Sequence, residues 1–353
     1  MFHPLCTAGK VLAAFLCTML LTVGTPAGSR AEGPRIGFIL KTMQEERYRT
    51  DKALFTARTE SKGATVFFDS SHNDELTQLR QVEKLLDQGI DILVLQPVNT
   101  ATAGSLVQLA HRHGVRVVGY DSMLQNGPLD IMIMQDSWAV GQLQAKALEQ
   151  WLMKKRGNVS GAVALIMGQP GDANAQAMSE GILRFVENNP EVKLVAQKSH
   201  PGWSPDLARE TAQNLLLKHG NRIDAFVCNN SGLAYGVMGA LHEEGLDSVD
   251  TVFVAGSDAD LRNIRLVAEG RQAFEVWKKI KPLAYKAADV AMTMAANPEK
   301  PVSELVGNTH AVDNGFAKIP TIITPVTPVE KETVDSTVIA GGHFTREEVY
   351  GKK

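Results

Sequence analysis

The sequence predicts an α/β protein made of two similar open parallel-sheet lobes, joined by a hinge with interlobe crossovers. Three observations carry that expectation. From Arg35 onward, short β-branched runs alternate with amphipathic stretches of 12 to 16 residues, the alternation occurs twice, and 353 residues at 44% hydrophobic content suffice for about two domains of ~150 residues each.

Taken in order, the first set of predicted strands is 36–40, 65–68, 92–95 and 115–120, and the second is 162–167, 193–197, 225–228 and 251–255, followed by a run at 272–277. Each is short, apolar and rich in branched residues, as strands covered on both faces of a parallel sheet must be. Between them, Leu76, Leu79, Val82, Leu85 and Leu86 recur at helical spacing, as do Leu207, Thr211, Ala212, Leu215 and Leu216. Ser204 is placed to cap the second of these helices and Pro205 to occupy its first turn.

The repeat is visible in the residues themselves. Gly89-Ile90-Asp91-Ile92-Leu93-Val94, a helix ending at His113-Gly114 and a strand reaching Tyr120-Asp121 are echoed by Arg222-Ile223-Asp224-Ala225-Phe226-Val227, a helix ending at Glu244-Gly245 and a strand leading to Ser257-Asp258. The expected lobes are 32–136 with about 278–315, and 137–277 with about 316–353. An α/β barrel could also repeat, but eight regular strand-helix units are not legible.

The N-terminus has a different character. Residues 1–10 carry one Lys and no acid, residues 11–23 are apolar except Thr18 and Thr22, and Ser29-Arg30-Ala31 offers small residues for a signal peptidase, so residues 1–31 read as a cleaved secretory signal and the protein as periplasmic. The apolar run is shorter than the ~20 residues a bilayer span requires. Of three cysteines, Cys6 and Cys17 lie in that signal and only Cys228 remains, so no intramolecular disulfide is expected. Leu16 before Cys17 argues against lipidation there.

Composition and motifs exclude several functions. The net charge of −3 gives no general attraction to nucleic acid. No dinucleotide fingerprint, Walker loop, nucleophile elbow, H-E-x-x-H or C-x-x-C is present, so no enzyme, metal or cofactor is expected. His111 and His113 read as a basic turn at a helix end. Gly168-Gln169-Pro170-Gly171-Asp172 follows a strand as a ligand-contacting turn but lacks the Lys and Ser/Thr of a phosphate loop.

In open parallel sheets a ligand sits beyond the carboxyl ends of the strands. Facing lobes would therefore line one cleft, with Asp121 and Asp258 at matched positions on its two walls. Arg47 and Tyr48 follow the first strand; Asp172 and Asn174, Trp203, and Asn230 follow the first three strands of the second lobe. Carboxylates, amides and a guanidinium suit sugar hydroxyls, each of which donates and accepts, while an aromatic face covers the C–H face of the ring. Taken singly, either Asp would also fit a helix N-cap, Trp203 core packing and Asn230 a turn.

These residues carry a resemblance. Arg35-Ile36-Gly37, Glu46-Arg47-Tyr48, Gly119-Tyr120-Asp121, the segment Gly141 to Leu148, Gly202-Trp203-Ser204-Pro205, Asp258-Ala259-Asp260-Leu261, Val276-Trp277-Lys278 and Ile323-Thr324-Pro325-Val326 resemble, in this order, the xylose-binding branch of the type I, ribose-binding-like periplasmic solute-binding proteins. The resemblance implies a receptor that closes around one monosaccharide and delivers it to the membrane permease of an ABC importer. It implies sugar contacts at Arg47, Asp121, Asp172, Asn174, Trp203, Asn230, Asp258 and Lys278, the last of which also fits a solvated interlobe charge.

Three departures bear on the ligand. Ser122 stands where that branch has an Arg after the cleft Asp, Tyr48 replaces a Trp, and Lys41-Thr42 replace a pair of acids. If Lys41 points into the cleft it suits a sugar acid or another anion; if it points out, the site stays xylose-like. A periplasmic sugar or sugar-acid sensor subunit for a chemoreceptor or sensor kinase is the alternative function. A sugar-responsive repressor would need a helix-turn-helix where the signal stands.

Overall fold

The computed structural model describes residues 33–307 and 309–352; the expected signal, residues 1–31, lies outside them. Among the described residues no helix is long and apolar enough to cross a membrane.

The first lobe begins with β1 (Arg35–Leu40), α1 (Arg47–Glu60), β2 (Thr65–Ser70), α2 (Glu75–Asp87), β3 (Ile92–Leu95), α3 (Gly104–Arg112), β4 (Arg116–Asp121) and β5 (Ile131–Gln135). The second runs through α4 (Ser137–Arg156), β6 (Gly161–Met167), α5 (Ala173–Asn188), β7 (Val192–Ser199), α6 (Pro205–His219), β8 (Ala225–Cys228), α7 (Ser231–Glu243), β9 (Phe253–Ala255), α8 (Leu261–Glu269) and β10 (Glu275–Lys278). The chain returns through α9 (Ile280–Ala296), α10 (Val302–Leu305), β11 (His310–Asp313), β12 (Lys318–Thr324), β13 (Val326–Val329) and α11 (Arg346–Tyr350).

Seven strands form one sheet in the order β11-β12-β5-β4-β3-β1-β2, four form another in the order β7-β6-β8-β9, and β10 pairs with β13 in a two-stranded ribbon. All pairings in the larger sheets are parallel except β11 with β12. Strand order reverses at β1 in one lobe and at β6 in the other, so each lobe has a switch point at the carboxyl ends where a ligand crevice forms. The first lobe buries Phe38, Phe55 and Tyr120 with Leu283 and Ala287 of α9 on one face, and Leu93, Val117 and Leu124 on the other. The second buries Leu165, Ile166, Phe226 and Val254.

The helical stripes hold, with one difference at their amino ends: Val82, Leu85, Ala212 and Leu216 are buried, whereas Leu76 and Leu207 are exposed. Ser204 caps α6 by accepting from the Leu207 amide, with Pro205 in the first turn.

The lobe boundary expected near residue 316 is corrected. Residues 318–324 form β12, which pairs in parallel with Met132–Gln135 of the first sheet, and the crossing to the second lobe falls at Pro325, where β13 joins β10. β5 and β12 were not expected as strands. Beside their local partners β4 and β11, the two pair with each other from about 190 residues away in sequence, a partnership that local patterning does not encode.

Two buried details have measurable consequences. Helices α4 and α5 cross at Gly141 and Gly181 so closely that a Cβ on Gly141 would lie 2.1 Å from the Met178 carbonyl oxygen. Gly141→Ala gains ~1 kcal/mol of helix propensity, but the overlap with backbone should dominate and destabilise by about 1–3 kcal/mol; a urea midpoint that rises instead would contradict this packing.

Beneath the Gly256–Ala259 loop, the fully buried Glu275 carboxyl accepts from Ser231 Oγ at 2.9 Å, Gln272 Nε2 at 2.7 Å and the Ala259 amide at 3.2 Å. Burial pushes it from 4.5 up to about 8, although the Gln272 and Ser231 hydrogen bonds oppose that. The folded state thus holds this proton more tightly than the unfolded chain, and the associated stability is full below about pH 4.5 and lost as pH rises through about 8. Glu275→Gln should flatten the fall in melting temperature between about pH 5 and pH 8; parallel curves for the two proteins would refute it.

Candidate functional site

The carboxyl-terminal ends of the strands converge on a small cavity of about 20 Å³ between the lobes, lined by Lys41, Glu45, Arg47, Tyr48, Asp121, Asn174, Met178, Trp203, Asn230, Asp258 and Lys278. Nine of the eleven residues expected from the sequence line it. The other two, Asp172 and Ser122, stand directly behind it: Asp172 Oδ2 accepts from Lys41 Nζ at 2.7 Å, and Ser122 Oγ accepts from Asn174 Nδ2 at 3.0 Å.

Both cleft aspartates have a left-handed backbone, with φ of 62° at Asp121 and 104° at Asp258. Non-glycine residues rarely adopt this conformation, which costs about 1–3 kcal/mol and concentrates where a side chain must be aimed. Neither is a helix cap; Asp260 occupies the N-cap position of α8. Asp121 ends β4, and the Asp258 amide donates to the Val276 carbonyl, so each carboxylate is fixed to its own sheet.

Arg47, in the first turn of α1, joins the two walls. Its Nη2 lies 3.1 Å from Asp121, its Nε 3.3 Å from Asp51 and its Nη1 3.4 Å from Asp258 across the cleft. Lys278, at the end of β10, reaches Asp258 at 2.7 Å, so the solvated-charge alternative is excluded. Burial works against the Arg47 cation, but Asp121, Asp51 and Asp258 hold its pKa well above the ordinary value. Burial likewise works against the Asp121 anion, and Arg47, Lys278 and Lys41 together keep it below the usual carboxylate range.

Capping and lining coincide at two positions. Asp172 caps α5 through Oδ1 and keeps Oδ2 for Lys41; Asn230 caps α7 through Oδ1, which leaves its amide donor for the cleft. Trp203 also serves twice. It packs in the second core against Gly168, where any Cβ would lie 2.3 Å from the ring, and its face lies 5.1 Å from Lys41 Nζ. The Gly168–Asp172 turn touches the opposite lobe through Gly171, whose carbonyl accepts from Thr100 Oγ1 at 2.7 Å.

Lys41 therefore faces inward, yet it brings no free charge. Burial opposes its ammonium, but Asp172 and then Glu45 keep the pKa above the ordinary value. The cavity's cations, Lys41, Arg47 and Lys278, are each paired with a buried aspartate.

Sequence reasoning missed four contributors. Gln96, directly after β3, donates to Asp121 at 2.9 Å and to the Tyr48 hydroxyl at 3.1 Å; the strand-end rule that found Asp121 applies equally to it. Asp51 lies one helical turn beyond Arg47, a spacing that signals an ion pair. It also accepts from the Tyr120 hydroxyl. Glu45 and Met178 had no local signal, since an acid before a helix and a methionine on its apolar face are ordinary.

A family model described as a periplasmic binding protein domain matches residues 36–299. The chain is similar to the D-xylose-binding periplasmic protein of Escherichia coli (strain K12), at 32% identity over 96% of this chain and 99% of that one. A D-xylose-binding periplasmic protein of Haemophilus influenzae is 29% identical over 97% and 99%. Among solved structures, an ABC transporter solute-binding protein from Clostridium phytofermentans with bound β-D-glucose has the same fold, with a TM-score of 0.78 at 21% identity over 89% of this chain and 99% of that one. With its two parallel-sheet lobes, its interlobe cleft and near-complete coverage by these relatives, the chain belongs to the periplasmic binding protein family, among the type I sugar-binding proteins.

Proposed function

We propose that this protein is a periplasmic receptor that closes around one neutral monosaccharide, xylose or a close relative, and delivers it to the membrane permease of an ABC importer. The observation that carries the reading is the pair of strand-end aspartates, Asp121 and Asp258, held in left-handed backbone on opposite walls and bridged by Arg47. A ligand lying among them gains contacts with both lobes only when they are together, and that differential affinity shifts the population toward closure. The relatives named for D-xylose binding in the periplasm support the ligand class and the location. No observation favours the sensor alternative over transport.

The proposed sugar contacts are Arg47, Tyr48, Asp121, Asn174, Trp203, Asn230, Asp258 and Lys278, with Lys41, Asp172 and Ser122 setting their positions. Pairing of Lys41 with Asp172 replaces the sugar-acid expectation by a neutral ligand, because an added carboxylate would have to compete with aspartates already bonded to every cavity cation. Titration calorimetry against pentoses, hexoses and uronic acids tests this directly. Neutral sugars should bind at least ~10-fold more tightly than D-xylonate or D-glucuronate; tighter binding of either acid would overturn the charge argument.

Asp121→Asn and Asp258→Asn keep size and tolerate positive φ, so the fold should survive, although each takes one carboxylate from the buried cations and should lower the melting temperature. Each variant should weaken sugar binding by about 2 kcal/mol, roughly 30-fold in Kd, through loss of charge-assisted hydrogen bonds. Unchanged affinity in both would remove the cleft as the binding site.

A further inference from the structure

The charged groups of the cavity are paired, with one exception. Glu45, in the loop between β1 and α1, lines both the cavity and the adjoining pocket bounded by Pro201, Gly202, Trp203, Asp260 and Arg262. The residue as a whole is half-buried, but its Oε1 atom is buried and has no hydrogen-bond partner among the described residues. An acceptor withdrawn from water and left unpaired is unfavourable unless a partner arrives with the ligand.

The surroundings make that acceptor usable. Lys41 and Arg47 lie on its own lobe with the Tyr48 hydroxyl beside it, and Asp258 and Asp260 face it from the other lobe. Burial pushes the carboxyl from 4.5 up to about 7; Lys41, the Tyr48 hydroxyl and Arg47 oppose this, and Asp258 adds to it. The two nearby cations are committed elsewhere, Lys41 to Asp172 and Arg47 to its three aspartates, so neither closes on Oε1.

We propose that Glu45 is a further ligand-contacting residue that sets specificity, its Oε1 accepting a hydrogen bond from one hydroxyl of the bound sugar. This rests on the sugar-cleft reading above. A sugar lacking that hydroxyl leaves the acceptor unpaired in the closed cleft, which is a strong form of rejection. The residue thus discriminates among sugars of the same size and charge.

The test is a cycle between residue and ligand. Calorimetry first identifies which of D-xylose, D-ribose, L-arabinose and D-glucose binds the full chain most tightly, and then measures the monodeoxy analogues of that sugar against the unaltered protein, Glu45→Leu and Glu45→Gln. Glu45→Leu should weaken the parent sugar at least 10-fold, and one analogue should show no further loss in that variant although it loses at least 10-fold in the unaltered protein. Glu45→Gln, which retains an acceptor oxygen, should keep the unaltered pattern within about 3-fold. If the leucine variant loses its melting transition, Glu45→Ala takes its place. The proposal is overturned if every analogue loses the same factor with and without the carboxyl, or if Glu45→Leu binds normally while Asp121→Asn does not. If none of the four sugars binds the unaltered protein, it is the sugar-cleft reading that fails, and this inference with it.

Discussion

The Arg47 guanidinium lies among three buried carboxylates, Asp51 and Asp121 of its own lobe and Asp258 of the other, and much of the cleft is organised by keeping that charge neutralised. A buried cation stripped of its partners is strongly destabilising, whereas one surrounded by acceptors is tolerated and fixed in place. Each partner is in turn held: Asp51 by the Tyr120 hydroxyl, Asp121 by Gln96, and Asp258 by Lys278. The two walls therefore meet through one planar group whose geometry admits several acceptors at once.

This arrangement explains why backbone strain occurs at Asp121 and Asp258. A right-handed or extended residue at the end of either strand would send its side chain elsewhere, and the guanidinium would lose a partner. The strained loop at Asp258 is held from below by Glu275, which receives hydrogen bonds from Ser231, Gln272 and the Ala259 amide. Local strain and the buried acid beneath it belong to one device, which aims a carboxylate across the cleft.

The departures from the xylose-binding branch combine in space although they are scattered in sequence. Ser122 stands on one wall, and its hydroxyl accepts from Asn174 of the other. Lys41 places an ammonium on Asp172, two residues before Asn174 and on the same helix terminus. Specificity in such a site depends on which hydrogen-bonding groups remain unpaired, more than on the sum of its charges.

The sequence by itself determined the class of fold, most strands, the internal repeat and the positions of the cleft residues, because each of these leaves a local trace. Branched runs such as Ile92–Leu95 mark buried strands, and in an open parallel sheet the residues that follow them must face the crevice, which located Arg47, Asp121 and Asp258. What only the tertiary structure decided were relations between distant segments. Strand β12 exists because β5 pairs with it, which moved the last crossover to Pro325. Lys41 points into the cleft and is neutralised because Asp172 arrives from the other lobe, a pairing that the sequence left open. Glu45 was invisible because an acid just before a helix, here beside Glu46, has no distinguishing pattern; its significance depends on a burial that the opposing wall creates. Periodicity reports how a segment meets its own layer, whereas pairing across a cleft depends on the approach of two lobes.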